Sequence, residues 1–159
     1  LRNKEVTCSV NPTYMGKQSH INEKMRSILI DWLIEVHQKF RCVPETLFLT
    51  INLIDRYLEL ETVERSKLQL VGVTCMLVAA KYEEIYAPQV EEFCYITDNT
   101  YQRSEVVDME RTILDKLKFE LTVPTTKTFL RRFLTAASAE TKVEYLASYL
   151  AEPHCVSRA

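Results

Sequence analysis

Five cysteines and three histidines are the first candidates in this chain for a nucleophile, its base or a metal ligand. A thiol nucleophile needs an adjacent base, and a structural zinc site needs ligands at short, regular spacings. The sequence has no C-x-x-C pair, and its histidines are scattered. It therefore predicts no metal and no cofactor, while a thiol-dependent enzyme stays open as an alternative. The residues are Cys8, Cys42, Cys75, Cys94, Cys155, His20, His37 and His154.

Two charged residues lie among apolar neighbours in predicted helices. At about 100° per residue, Arg26 falls inside the apolar arc of the helix that follows Asn22. Asp55 lies between Phe48 and Ile51 on the apolar face of the next helix. A buried charge is costly unless it is paired and hydrogen-bonded. The pattern therefore predicts that Arg26 and Asp55 form a buried ion pair that stabilises the fold.

Lys81 and Glu110 are also unusually placed. Lys81 closes a predicted apolar helix, where the helix dipole alone would favour a cation. Glu110 lies near the middle of an apolar stripe, where it could be an edge residue whose carboxylate reaches water. The other hypothesis pairs Lys81 with Glu110 at the rim of a protein-binding surface. The pattern alone leaves these interpretations open.

The composition favours a helical domain with an ordinary core. The chain has 159 residues, and 47% of them are hydrophobic, which is enough to bury a sizeable core. Two glycines and five prolines are too few for the many reversals of an all-β chain. The net charge of -2, without a basic stripe, argues against a nucleic-acid partner. No apolar run suits a membrane span or a signal peptide, so we expect an intracellular chain with reduced thiols and no membrane partner. The sequence contains neither a P-loop nor a kinase motif, and we predict that the protein is not an enzyme.

Apolar periodicity predicts five helices in the first 119 residues. The first follows Asn22, a good N-cap, and the second begins at Pro44, which suits the first turn of a helix. The third is apolar all round from Leu70 to Ala80 and is predicted to be the buried centre of the domain. The last three helices are predicted over about 65–82, 90–96 and 104–118.

Two further segments keep a helical pattern beyond Pro124, over 125–137 and 143–152. Pro153 is expected to end the second of them abruptly, because proline lacks an N–H donor and disfavours helix in the residue before it. The apolar residues of that helix are expected to be exposed and to promote association. They are Val143, Leu146 and Leu150.

Four strings of residues resemble the cyclin box of mitotic A- and B-type cyclins, most of all the B-type. They occur in the family's order and spacing, and together they are far more specific than one short motif. The strings are M-R-S-I-L-I-D-W-L-I-E-V from Met25, L-Q-L-V-G from Leu68, A-A-K-Y-E-E-I-Y-A-P from Ala79 and Y-I-T-D-N-T-Y from Tyr95. The resemblance implies an all-α cyclin box, a five-helix bundle around a central buried helix, followed by the start of a second cyclin-box repeat.

The resemblance also implies a division of the chain into five parts. These are the tail of an N-terminal helix and lead-in (1–21), the cyclin box (22–119), a linker (120–124), a partial second box (125–152) and a divergent tail (153–159). The trace of the leading helix would lie in residues 1–6. The family acts in the nucleus and cytoplasm, and both locations are expected.

A cyclin-dependent kinase is the partner that this resemblance implies, held by its C-helix and activation loop in the active arrangement. Lys81 and Glu110 match the residues thought to hydrogen-bond the kinase backbone. The other matches to the kinase contacts are Tyr82, Glu84, Leu114, Phe119 and Leu121. Arg26 and Asp55 match the family's internal buried pair.

A second surface implied by the resemblance is a groove that docks substrates or inhibitors carrying an Arg-x-Leu motif. Its matches are Met25, Ile28, Leu29, Trp32 and Gln69, with Glu35 placed to meet the arginine. Periodicity alone would assign this apolar stripe to the core. Because the second box is incomplete, kinase binding is expected to survive but to be weakened. The alternative is a fragment that folds without activating a kinase.

Overall fold

Seven α-helices and two short 3₁₀ helices make up the part of the chain that the computed structural model describes, and this part contains no strand. It comprises the backbone of residues 10–156 and the side chains of residues 10–151. The predicted trace of a leading helix in residues 1–6 therefore lies outside the described residues, as do the side chains of Cys8, His154 and Cys155. The all-α prediction is confirmed.

The bounds of the helices follow the predicted order. They are α1 (Glu23–Phe40), α2 (Pro44–Leu60), α3 (Leu68–Glu83), α4 (Val90–Ile96), α5 (Arg103–Lys116), α6 (Thr126–Ala136) and α7 (Thr141–Val156), with 3₁₀ helices at Tyr14–Lys17 and Arg65–Lys67. The predicted third helix is thus divided, since its first turn is 3₁₀ and the α-helix begins at Leu68.

Local chemistry explains where α1 begins and ends. The Asn22 side chain accepts a hydrogen bond from the Met25 amide at 3.0 Å, so it caps the first turn as predicted. At the other end, Arg41 takes the left-handed conformation; its amide donates to the Gln38 carbonyl, and the Cys42 amide donates to the His37 carbonyl. α2 then begins at Pro44. The two helices are consequently joined by a tight turn and pack against each other.

α3 is the buried centre of the bundle. Every residue from Leu70 to Ala80 is buried, and α3 packs against α1, α2, α4 and α5. The approach to α1 is close at Gly72, where an added Cβ would lie 2.7 Å from Cδ1 of Leu29. This central helix carries Lys81 out of the core at its last turn, which places that side chain at the surface beside α5.

The C-terminal helices pack on the outside of this bundle. α6 contacts α2, while α7 contacts α1 and α6. The exposed apolar residues predicted for α7 are present, because Val143, Leu146 and Leu150 are each at least half exposed. Association through them remains a prediction.

The prediction that Pro153 ends this helix is wrong, because α7 continues to Val156. A proline inside a helix removes one amide donor and crowds the carbonyl four residues before it, which can kink the helix without ending it. The helix can therefore continue on either side of it.

Candidate functional site

Lys81 and Glu110 form an ion pair where α3 and α5 meet at the surface. The Lys81 Nζ atom lies 2.6 Å from Oε1 and 2.9 Å from Oε2 of Glu110. The Lys81 side chain is 47% exposed, whereas that of Glu110 is 15% exposed. The ammonium group has three hydrogens, so a third remains for another acceptor. The hypothesis that pairs these residues at a surface therefore describes their geometry correctly.

The other predicted contact residues come from the end of α3, from α5 and from the segment that follows α5. Tyr82, at the end of α3, places its hydroxyl 2.6 Å from Oγ1 of Thr122, and either hydroxyl can donate. Leu114 on α5 and Leu121 beyond it are half-buried, while Phe119 is 63% exposed. An exposed phenylalanine and two partly open leucines thus lie on α5 or in the segment that follows it. We call this set the Lys81 surface; it consists of Lys81, Tyr82, Glu110, Leu114, Phe119 and Leu121.

Glu84 has a different environment from the rest of the predicted contact set. One of its carboxylate oxygens accepts from the Val43 amide at 2.7 Å and from the Thr46 hydroxyl at 2.5 Å. These groups belong to the first turn of α2, whose positive dipole end favours a carboxylate. Glu84 therefore caps α2 in this structure, and its role in positioning α2 against α3 was missed by the sequence analysis.

Ile85 and Tyr86 are two further residues that the sequence analysis did not assign to this site. They are 91% and 92% exposed in the loop between α3 and α4. Large apolar side chains at such exposure, three and four residues after Tyr82, are typical of a surface that binds another protein. Two apolar residues in a short loop would have been the pattern to notice.

The stripe predicted for peptide docking is divided between surface and interior. Ile28 is 59% exposed and Glu35 is also exposed, while Met25, Trp32 and the α3 residue Gln69 are half-buried. Leu29 is different, because it is only 6% exposed. It packs against Gly72, so it can contribute the floor of a groove but not its open side.

Arg26 and Asp55 are brought together in the interior as predicted. The Nε and Nη2 atoms of Arg26 lie 2.6 and 2.7 Å from the two carboxylate oxygens of Asp55, and Arg26 is 1% exposed. Burial alone would lower the pKa of Arg26, but the hydrogen bond and charge of Asp55 raise it. Tyr14 also donates to Asp55 at 2.6 Å. Burial, followed by the charge of Asp55, raises the pKa of the Tyr14 phenol, so the hydroxyl stays a donor.

The described cysteines do not resemble nucleophiles. Burial, reinforced by the charge and hydrogen bond of Glu84, raises the pKa of Cys42 to about 11. Burial also raises the pKa of Cys75 and Cys94. A catalytic thiol requires the opposite shift. Within residues 10–151, no cluster of side chains could hold a metal ion, and no helix is long and apolar enough to cross a bilayer.

The fold is an all-helical bundle around the buried helix α3, and comparison with known proteins gives its family. The N-terminal domain of cyclins matches residues 1–122. This chain belongs to the cyclin family, whose members are regulatory proteins without a catalytic site of their own.

Plant A-type cyclins are among the relatives most similar to this chain. Cyclin-A1-1 of Arabidopsis thaliana is 56% identical over 158 residues, covering 96% of this chain and 34% of that protein. Cyclin-A2-1 of Oryza sativa subsp. japonica is 60% identical over 140 residues, covering 85% of this chain and 29% of that protein. The chain thus spans about a third of the length of these relatives. The predicted resemblance to mitotic A- and B-type cyclins is confirmed. The sequence analysis favoured the B-type, whereas the relatives named here are A-type.

The crystal structure of a viral cyclin from herpesvirus saimiri has the same fold. It superimposes with a TM-score of 0.82 at 20% identity, covering 95% of this chain and 66% of the viral one. The cyclin-box prediction is therefore confirmed at the level of the fold.

Proposed function

We propose that this chain binds and activates a cyclin-dependent kinase, in control of the G2/M step of the cell cycle. The observation that carries the proposal is the Lys81–Glu110 pair at the edge of the Lys81 surface. The family to which the chain belongs supports a regulatory role in the cell cycle.

The chemistry of the Lys81 surface suits a protein partner more than a small molecule. Lys81 retains a donor, Phe119 is exposed, and Leu114 and Leu121 are partly open. Interfaces commonly combine such apolar anchors with a few oriented polar groups. The Glu110 carboxylate is mostly covered. A partner that displaced the remaining water would therefore strengthen the attraction between the charges of Lys81 and Glu110.

The direct test is binding of the purified chain to a mitotic cyclin-dependent kinase, followed by phosphorylation of histone. We expect binding with activation. The variants Lys81→Met and Glu110→Gln should each weaken binding about tenfold to a hundredfold, because a hydrogen bond that involves a charged group contributes about 1.5–3 kcal/mol.

A matched control is available in the exposed Arg103–Glu91 pair on α5 and α4. Arg103→Met and Glu91→Gln should bind the kinase like the unmodified chain. Loss of all kinase binding in a folded sample would contradict the proposal. Binding without activation would instead support the alternative of a fragment that folds and competes for the kinase.

We also propose that α1 docks substrates or inhibitors that carry an Arg-x-Leu motif. Ile28 offers an exposed apolar side chain, with Met25 and Trp32 partly open on the same helix. Glu35 is exposed one helical turn from Trp32 and can meet the arginine of the motif. The groove would therefore bind an apolar side chain and a cation together.

The nucleus and cytoplasm are the locations that this function implies. A fluorescent fusion followed through division tests them, with retention in any other compartment as the contrary outcome.

A further inference from the structure

The segment that follows α5 adopts an unusual backbone. Lys118 has φ 53° and Phe119 has φ 55°, both in the left-handed region. Residues with a Cβ atom rarely adopt that region, and two in succession are rarer still. Neither residue is a glycine or an asparagine, which tolerate it best. Something outside the segment must therefore hold it in place.

Backbone hydrogen bonds from α5 hold one end of this segment. The Lys118 amide donates to the Asp115 carbonyl at 3.1 Å, and the Phe119 amide donates to the Leu114 carbonyl at 2.9 Å. These bonds close the last turn of the helix. They fix where the segment leaves α5 but not where the residues after Phe119 lie.

Two side chains from other helices hold the other end. Arg56 of α2 donates from Nη1 to the Glu120 carbonyl at 2.8 Å. Tyr82 of α3 is hydrogen-bonded to Thr122 at 2.6 Å. One contact lies directly after Phe119 and the other lies two residues further along. Phe119 is thus presented by a turn that three helices hold.

Arg56 is the unexpected member of this arrangement. It is only 9% exposed, and in the described part of the chain no ion pair involves it. The adjacent Asp55 is already occupied by Arg26 and Tyr14. The described hydrogen bond of the buried Arg56 guanidinium goes to a main-chain carbonyl of the strained turn. Such a group is suited to fixing the position of that turn.

We propose that Arg56 is a positioning residue for partner binding. It holds the Lys118–Leu121 turn, and with it the exposed Phe119 ring, in the position that the partner binds. Arg56 is largely buried, so it acts through Phe119 and not through contact with the partner. The inference rests on the proposed function, since it assigns a supporting residue to the same surface.

A double-mutant cycle tests this inference. Kinase affinity is measured calorimetrically for the unmodified chain, Arg56→Met, Phe119→Ala and the double variant. We expect Arg56→Met to weaken binding about tenfold and Phe119→Ala to weaken it at least as much. In the double variant, the additional loss from Arg56→Met should largely disappear, because the ring that Arg56 positions is absent.

Thr50→Val is the matched control for a loss that is only structural. Thr50 is buried on the same helix, and its hydroxyl donates to the Thr46 carbonyl at 2.7 Å. It should show no coupling with Phe119→Ala. Additive effects of Arg56→Met and Phe119→Ala, or equal coupling for Thr50→Val, would overturn the assignment of Arg56.

Failure of the proposed function gives a different result. If Phe119→Ala and Lys81→Met both leave kinase binding unchanged, the Lys81 surface is not the interface. If Arg56→Met does not fold, as judged by circular dichroism, Thr122→Val replaces it in the same cycle because it removes the other side-chain contact of the turn. Additivity in that cycle would likewise overturn the positioning role.

Discussion

Arg26 on α1 and Asp55 on α2 form a two-point ion pair in the interior, with Nε–Oδ1 and Nη2–Oδ2 distances of 2.6 and 2.7 Å. Tyr14, in the 3₁₀ helix before α1, donates a third hydrogen bond to the same carboxylate. Three separate segments are therefore joined at one buried group. Because both carboxylate oxygens of Asp55 are hydrogen-bonded, the charges cost little while they stay together, but loss of one member leaves another unsatisfied.

Asp55→Ala should destabilise the protein strongly. The substitution leaves the Arg26 guanidinium buried without its counter-charge, which typically costs about 3–5 kcal/mol. Urea unfolding followed by circular dichroism measures the change. The control is Glu91→Ala, which breaks an ion pair whose side chains are both about two-thirds exposed, and it should shift the unfolding midpoint far less. Equal shifts for the two variants would show that burial of the Arg26–Asp55 pair is unimportant.

The sequence predicted this pair because both partners interrupt strong helical periodicity. Tyr14 could not be found in the same way, since it lies before α1 in a segment without a repeating apolar pattern. Gln18 was missed for the same reason. Its side chain donates to the Leu58 and Glu61 carbonyls and accepts from the Val63 amide, so it satisfies the end of α2. Side-chain contacts of irregular segments depend on tertiary position, which periodicity does not encode.

In the candidate site too, charged residues on regular helices were predicted, whereas contacts between separate elements were not. Lys81 and Glu110 stood out because charges on apolar faces are rare, and the structure pairs them. The capping role of Glu84 and the contact of Arg56 with Glu120 depend on how α2 packs against α3 and the turn after α5. The continuation of α7 past Pro153 was mispredicted because one missing amide was given too much weight against the rest of the helix.

Gly72→Ala should destabilise the contact between α1 and α3. The new Cβ would lie 2.7 Å from Cδ1 of Leu29, which is buried and cannot move freely. Overpacking of this kind costs about 1–3 kcal/mol and outweighs the gain of up to about 1 kcal/mol that alanine brings to a helix. Thermal unfolding measures the loss. Gly16→Ala is the control, because an added Cβ there meets nothing within 4 Å. An unchanged Gly72→Ala would mean that Leu29 has room to shift.

Trp32→Ala should separate substrate docking from kinase activation. We expect phosphorylation of a short peptide to be unchanged, while kcat/KM for a substrate that bears Arg-x-Leu falls about tenfold, as for loss of an aromatic anchor. The measurement compares both substrates in one preparation of the kinase complex.

Ile34→Ala is the matched control for Trp32→Ala. Ile34 is also half-buried on α1, but it lies about 200° around the helix from Trp32. It should affect stability without changing the preference between the two substrates. An unchanged preference in Trp32→Ala would assign Trp32 to the core instead of the groove.

Cys42 should react slowly with alkylating reagents in the folded protein. Burial, the charge of Glu84 and a hydrogen bond to it raise the pKa of the thiol from 9.0 to about 11. At pH 8 the thiolate fraction is then about a hundredfold lower than in an unperturbed thiol, and only the thiolate reacts. The raised pKa stabilises the fold fully below about pH 9, and this contribution is lost as the pH rises through about 11.

Iodoacetamide labelling of native and urea-unfolded samples, resolved by mass spectrometry, should show the lower reactivity of Cys42 in the native protein. The fully buried Cys75 should stay unmodified in the native sample and is the internal reference. Equal labelling of Cys42 in both states at pH 8 would show that the fold does not raise the pKa of this thiol.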